Sequence, residues 1–316
     1  MELTKKLDSP NQPEWALWNE RISEVQEYFQ KKGMTKTTTE KFQRMVYDHY
    51  HNHGRHDLAW RNTDDPYRIV VSEIMLQQTQ VERVRQKYPD FIRTFPDWQS
   101  LKEASLQHIL RIWQGMGYNR RALALKKIAH LIMGQCNGKV PDKVDMLMSL
   151  PGIGRATAGA LCAFIYDLPV VFIETNIRTV FLHCFYTQQV AVTDQEILAR
   201  IAQTLDQENP RDWYQALMDF GVTIKKNVPN PNRSSAVYRK QSSFKGSDRE
   251  IRGEIIAVLL KNHEISEQEL YRMYKCPKKR LKCIINKLIA DGLVEKHRSC
   301  ISIRKNPGSA KRTIFK

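Results

Sequence analysis

The chain has 316 residues, 50 Lys and Arg against 34 Asp and Glu for a formal charge of +16, and 41% hydrophobic residues with only 14 Gly and 13 Pro. This is the composition of a soluble, globular, two-domain protein. No run approaches the ~20 apolar residues of a bilayer span, and the start MELTKKLDSPNQPEW has no apolar stretch behind its lysines, so neither a membrane-bound nor a secreted protein is expected.

The expected helices run, in chain order, near residues 14 to 32, 38 to 52 with Thr38 or Thr39 as cap, 72 to 88, 105 to 114, 118 to 135, 142 to 149, 155 to 166, 174 to 186, 194 to 207 and 210 to 223. Nothing before residue 290 reads as a sheet, and the short apolar run Leu168 to Ile173 is ambiguous, with strand the lesser reading. The stretch 225–247, KKNVPNPNRSSAVYRKQSSFKGS, is charged and rich in structure breakers, and marks a linker. Beyond it Ile251, Ile255, Ile256, Leu259 and Leu260 form a helical stripe, and Ser266 with Glu269 makes a capping box for a second helix. Pro277 opens a third helix stopped by Gly292, and strands near 293 to 296 and 300 to 303 form a hairpin.

Three helices followed by a ribbon is the winged-helix plan, in which the third helix enters a major groove. Its exposed face would carry Lys278, Lys279, Lys282, Asn286 and Lys287. Charge supports this reading, since from Lys225 to the end 23 Lys and Arg face 8 Asp and Glu, net +15. Such a basic block usually meets nucleic acid, the alternative being a solvated face or a partner-docking module.

Six cysteines, Cys136, Cys162, Cys184, Cys276, Cys283 and Cys300, lie too far apart for a disulfide scaffold and read as reduced thiols in a cytoplasm-like compartment. His49, His51, His53 and His56 raise a metal question, but no carboxylate or Cys completes a set and a helix C-terminus attracts His, so no metal site is expected. The sharpest local signal is LPGIG, Leu150 to Gly154, before the helix-forming RATAGALCAF. Two glycines two apart allow a tight hairpin whose amides, with the following helix N-terminus, grip a phosphate without reading sequence.

Four collinear segments, LAWRNTDDPYRIVVSEIMLQQTQV (58–81), IWQGMGYNRRALALKKIA (112–129), LPGIGRATAGAL (150–161) and ALMDFGVTIKK (216–226), resemble the adenine DNA glycosylase (MutY) branch of the helix-hairpin-helix glycosylase superfamily. The resemblance implies an all-α, two-lobed helix-hairpin-helix glycosylase domain over 38–224, after an N-terminal extension 1–37 and before the basic linker or DNA-contact loop 225–247, the small winged helix 248–304 and a basic tail 305–316. It implies a monofunctional glycosylase of base excision repair that removes adenine opposite guanine or 8-oxoguanine. A thymine or uracil mismatch glycosylase acting opposite guanine and a catalytically silent DNA-binding protein of the same fold are the alternatives. The implied partner is mismatched or damaged double-stranded DNA, bound by a monomer, with no membrane. The implied location is the cytoplasm and nucleoid of a prokaryote, or otherwise the nucleus.

Hydrolysis of an N-glycosidic bond needs a proton for the departing base, stabilisation of a sugar cation, and a water, tasks that carboxyl groups in unlike environments divide. The resemblance gives the first and third to Glu73 of VSEIMLQQT, otherwise a first-turn glutamate beside a cap Ser72. The second carboxylate aligns with Glu174 of FIETNIRTV, where the family has Asp, and Asn176, which the resemblance places with the catalytic residues, and Arg178 keep their places. Glu174 serves either as the cation stabiliser, the favoured reading, or as a helix cap. Relatives of endonuclease III carry a nucleophilic Lys where this chain has Ala156, so no covalent lyase step is expected.

Base flipping leaves a gap to fill. The resemblance assigns Gln77 and Gln78, with Tyr118 or Asn119, to the strand-penetrating wedge, and Arg120 and Arg121 to phosphate. Gly152, Gly154, Arg155, Thr157 and Arg178 join the DNA-contact set, as do Lys225, Lys226 and Arg233 of the linker and Lys278, Lys279 and Lys282 of the winged helix. Family members commonly hold an iron–sulfur cluster on four Cys after this domain. Here Cys184 and Cys276 are consecutive, so no cluster and no other cofactor is expected, and a small winged helix stands where relatives often carry a Nudix-like domain.

Overall fold

The computed structural model describes residues 12–305. Its first helices are α1 (Gln12–Lys32), α2 (Lys36–His53), α3 (Pro66–Leu76), α4 (Val81–Thr94) and α5 (Trp98–Glu103). Then follow α6 (Leu106–Ile112), α7 (Arg120–Gln135), α8 (Val144–Met148), α9 (Arg155–Tyr166) and α10 (Thr175–Phe185). The chain continues with α11 (Asp194–Thr204), α12 (Pro210–Asn227), a short 3-10 turn (Pro231–Ser234) and α13 (Asp248–Asn262). It ends in β1 (Glu264–Ser266), α14 (Glu267–Met273), α15 (Lys278–Ala290), β2 (Val294–His297) and β3 (Cys300–Ile303). No helix among the described residues is long and apolar enough to cross a membrane.

Contacts divide the chain into two units, one from Met1–Asp57 with Gly159–Lys240, the other from Leu58–Ala158 with Gln241–Lys316. In the first, α10 packs on α12, and α2 packs on both α1 and α12. Trp18, Ile22 and Val25 of α1 are buried, so this helix, placed by the sequence reading in an N-terminal extension, is part of a core. Phe42 of α2 meets Phe181, Phe185 and Trp213 edge-on at 4.9–5.7 Å, offset geometries that aromatic pairs favour.

In the second unit α3 to α7 form a helical layer in which α7 meets α3, α5 and α6, and α13 packs on α6. The winged helix, read from sequence as a separate segment 248–304, thus shares a unit with residues 58–158. Its sheet has the order β1-β3-β2, all antiparallel, with Ile265 opposite Ile301 and Val294 opposite Ile303, and all four side chains are buried. The capping box of Ser266 and Glu269, the helix opened after Pro277 and the turn at Gly292 (φ 78°) lie where the spacing places them.

Several expectations are corrected. The helix expected over 72 to 88 is two, because the chain turns at Gln77 to Gln80 with Gln78 at φ 52°, and the first of them begins six residues earlier at Pro66. Thr35, not Thr38 or Thr39, caps α2, accepting from the Thr38 amide at 3.2 Å, while the Thr38 side chain turns inward to the Gly33 carbonyl. Helix α5 was not expected, nor was strand β1 before residue 290. Leu168 to Ile173 is not a strand. Lys225 and Lys226, expected in the linker, continue α12. The expected basic tail lies, apart from Lys305, outside the described residues.

Candidate active site

Helix α3 is set by Asp65, whose carboxylate accepts from the Tyr67 amide at 2.9 Å, and by Pro66 at the first helical position, where a missing N–H costs nothing. Its inward face is apolar: Tyr67, Ile69, Val70, Val71, Ile74 and Met75 are buried. Glu73 is half-buried on this helix, two turns past its start. Ser72 is no cap; it is buried mid-helix and donates to the Ile69 carbonyl at 2.8 Å. The dipole explanation of Glu73 as a first-turn glutamate therefore fails, since that effect dies within one turn.

The last carbonyls of α3 have no helical partners; the Thr79 amide takes that of Leu76 and Arg121 takes those of Ile74 and Met75. Its guanidinium donates to the carbonyls of Ile74 at 3.0 Å and Met75 at 2.8 Å, to the Thr79 hydroxyl at 2.8 Å, and to the carbonyl of Met116 at 3.2 Å, and it also reaches the Gln77 carbonyl. Burial lowers its pKa to about 10, leaving it charged at neutral pH. Arg121 is thus corrected from a phosphate contact to a buried staple, 7% exposed, that joins the end of α3 to the turn before α7. Arg120 beside it is exposed and lies 3.8 Å from Asp291. In the same turn Tyr118 (φ 47°) and Asn119, the N-cap of α7, are half-buried.

Gln77 ties the turn after α3 to the hairpin, donating from Nε2 to the Gly152 carbonyl at 3.0 Å and the Thr157 hydroxyl at 3.2 Å. Gly152 sits at φ 81°, which favours glycine, and a Cβ there would also come close to the Ala124 methyl at 3.1 Å. Ile153 is buried beneath the hairpin, while Gly154, Arg155 and Ala156 are exposed at the start of α9. Gln78 is exposed as well. One compact arrangement therefore joins Gln77, Gly152, Thr157 and Arg121, with Gln78 displayed beside them.

A second cluster belongs to the other unit. Glu174 caps α10: its Oε1 accepts from the amides of Asn176 at 2.7 Å and Ile177 at 2.9 Å. Burial raises its pKa, opposed by these two amides and by the charges of Lys225 and Arg178. Lys225 donates to Asn176 Oδ1 at 2.8 Å, and burial lowers its own pKa. Gly221 lets α12 approach this corner, since a Cβ there would lie 2.3 Å from the Asn176 carbonyl oxygen. The loop before Glu174 is held by Phe172, which packs against Gly159 and lies 4.1 Å from Tyr214, and by the Tyr214 hydroxyl, which donates to the Val170 carbonyl at 2.7 Å. Arg178, expected on DNA, makes a two-pronged ion pair with Asp194 at 2.8–3.1 Å, and its fork is occupied there.

Lys226, Arg233, Lys278, Lys279 and Lys282 are exposed. The residues after α12 are held by amides: Asn232, 5% exposed, donates to the Thr179 hydroxyl at 2.7 Å and to Asn230, the Val192 amide donates to the Ser234 carbonyl, and the Ala236 amide donates to the Val192 carbonyl. With no Cys between 185 and 275, this segment lacks the donors of a four-cysteine cluster. Among the described residues there is no group of three or more His, Cys, Asp or Glu suited to a metal. His49 is buried and bonded to the Thr223 hydroxyl at 2.9 Å. Sequence reasoning missed Thr79 and Asn232, ordinary polar residues in turns.

Residues 71–220 match the family described as HhH-GPD superfamily base excision DNA repair protein. The chain is 30% identical over 265 residues to an adenine DNA glycosylase of Mycolicibacterium smegmatis, covering 78% of this chain and 90% of the relative. The chain belongs to this superfamily, in its adenine DNA glycosylase branch. It is also 34% identical over 191 residues to an adenine DNA glycosylase of Buchnera aphidicola, a match covering 59% of this chain and 54% of that protein, so the chain spans about half the length of that relative. The solved structure of a thermostable thymine-DNA glycosylase shares the fold, with a TM-score of 0.51 at 23% identity, over 58% of this chain and 85% of that one.

Proposed function

We propose that this HhH-GPD protein is a monofunctional DNA glycosylase that hydrolyses the N-glycosidic bond of adenine opposite guanine or 8-oxoguanine in duplex DNA. The observation that carries the reading is Glu73: a half-buried carboxyl two turns into an apolar helix, on the segment whose end is locked by Arg121 and joined to the hairpin by Gln77. Such a rigid mount suits a group that must meet a flipped base and a water at hydrogen-bond range. Glu73 protonates the departing base and then activates the water. Glu174 stabilises the developing sugar cation with its second oxygen while Oε1 caps α10, so the capping and catalytic roles coexist on one side chain. Asn176 and Lys225 set that corner, and the exposed Ala156 offers no amine for a Schiff base.

The hairpin amides, with Arg155, Lys226, Arg233 and Arg120, contact phosphate, and Gln77, Gln78, Tyr118 and Asn119 form the wedge. The basic face of α15 adds nonspecific affinity. The amide-bonded segment after α12 takes the place of an iron–sulfur cluster, and the protein works as a monomer without one. The experiment is a panel of duplexes with A, T or U opposite guanine and 8-oxoguanine, scored for alkali-labile sites by iron-free protein. Adenine release is expected; release of T or U alone would reassign the substrate, and activity that tracks iron content would refute the clusterless reading.

A further inference from the structure

Tyr118 is anchored from outside its own turn. Its hydroxyl receives hydrogen bonds from Gln241 Nε2 at 2.7 Å and Arg249 Nη1 at 2.9 Å, both from the segment that leads into and begins α13. The other Arg249 nitrogen donates to the Ser242 carbonyl at 2.7 Å, fixing the guanidinium against its own chain. The Arg121 guanidinium lies 5.4 Å from the centre of the Tyr118 ring, so ring and hydroxyl are held by different cations. A second tie flanks the first: Arg252 of α13 pairs with Asp291, which also faces Arg120, two residues after Tyr118.

Helix stability does not explain Arg249. It occupies the first turn of α13, where the positive end of the helix dipole disfavours a cation and where Asp248 and Glu250 are the suitable residues. A half-buried tyrosine at a positive φ does not need a charged donor and an amide donor on its hydroxyl to stay folded. The two bonds instead fix where the phenol edge points, and this edge belongs to the turn assigned to strand penetration.

We propose that Arg249, assisted by Gln241, is a positioning residue for Tyr118, so that the winged helix sets the wedge that opens the base stack of duplex DNA. The inference rests on the glycosylase reading and deepens it: the C-terminal module acts on base extrusion and is not only a source of charge. Arg249 touches no reacting atom; it acts through the phenol.

The test measures single-turnover base excision by the full chain for the parent, Arg249→Ala, Arg249→Lys, Tyr118→Phe and the double variant Arg249→Ala/Tyr118→Phe, with thermal melts of each. Two duplexes are used, one with the target base mispaired and one with it opposite an abasic site, where the stack is already open. Arg249→Ala should slow excision about ten-fold on the mispaired duplex, the loss of one charge-assisted hydrogen bond, and clearly less on the abasic one. Arg249→Lys should recover much of the rate, and in the Tyr118→Phe background Arg249→Ala should change it by no more than about two-fold, because the shared hydroxyl is gone. Equal losses on both duplexes, or an undiminished Arg249 effect in the Phe background, would make Arg249 a mere packing residue and overturn the proposal. Excision by the parent with Arg249→Ala equal to it would overturn the proposal alone, whereas no excision by the parent on any duplex would refute the glycosylase reading beneath it.

Discussion

Replacing Glu174 by Gln is expected to lower activity while leaving stability at neutral pH unchanged or higher. Burial is the largest influence on this carboxyl and raises its pKa, against the opposing amides and the charges of Lys225 and Arg178. A folded-state value above the unfolded one means that folding favours the protonated group, so its contribution is fully present below the ordinary glutamate range and declines as pH rises through the folded value. At neutral pH the ionised form therefore costs stability. Gln removes that cost and keeps an oxygen for the Asn176 and Ile177 amides. Glu174→Ala loses the cap as well, worth about 1 kcal/mol, or roughly 2–4 °C in Tm for a domain of this size. For the reaction the order reverses, since loss of the charge facing a sugar cation should slow single-turnover excision by roughly 10²-fold, about 2.7 kcal/mol. Glu174→Asp, which keeps the charge but shortens the reach by about 1.5 Å, should lie between. The assay is single-turnover excision beside thermal melts at several pH values. Full excision by the Gln variant would make Glu174 a cap and nothing more.

Ala156→Lys should let borohydride trap a covalent DNA adduct that the parent does not form; trapping in the parent would show that another amine already acts. Arg121→Gln should lower stability by roughly 3 kcal/mol with little change in the salt dependence of binding, because it orphans the α3 carbonyls, whereas an unchanged melt with a flatter salt slope would restore the phosphate role. Changing Lys278, Lys279 and Lys282 together to Ala should flatten the plot of log K against log salt by up to about 0.9 per lost contact, and an unchanged slope would mark this face as a protein-docking surface. Burial lowers the pKa of His49 to about 4, with help from the His53 charge and against Asp219. Its contribution is present above the unfolded value and lost as pH falls toward the folded one, so His49→Gln should weaken the fall of Tm between about pH 7 and pH 5; an identical fall in parent and variant would refute this.

The site was legible where chemistry and local geometry coincide. Gly152 of LPGIG marks a turn at φ 81°, whereas Gly154 has no positive φ and open space around it; the capping box at Ser266 and the stop at Gly292 are local rules that tertiary packing left intact. It was less legible where packing decides. Arg120 and Arg121 are neighbours in sequence, yet only Arg121 falls on the buried stripe with Leu125, Ile128 and Ile132, a spacing that signals its inward direction. The break at Gln77 to Gln80 escapes periodicity because no Gly or Pro marks it; Gln78 adopts a positive φ while Arg121 and Thr79 secure the turn. Strand β1 is three residues long and shares Ser266 with the helix cap, so its pairing to β3 leaves no separate pattern. The approach of Tyr118 to Arg249 links residues 131 positions apart, beyond the reach of any local rule.

If Glu73 performs base excision, the loss will show in single-turnover kinetics of Glu73→Gln against the parent, on a duplex with adenine opposite 8-oxoguanine. Gln preserves size and hydrogen bonding but holds no transferable proton, so binding should persist while excision falls by at least about 10²-fold. Near-normal excision by the variant would remove Glu73 from the chemistry.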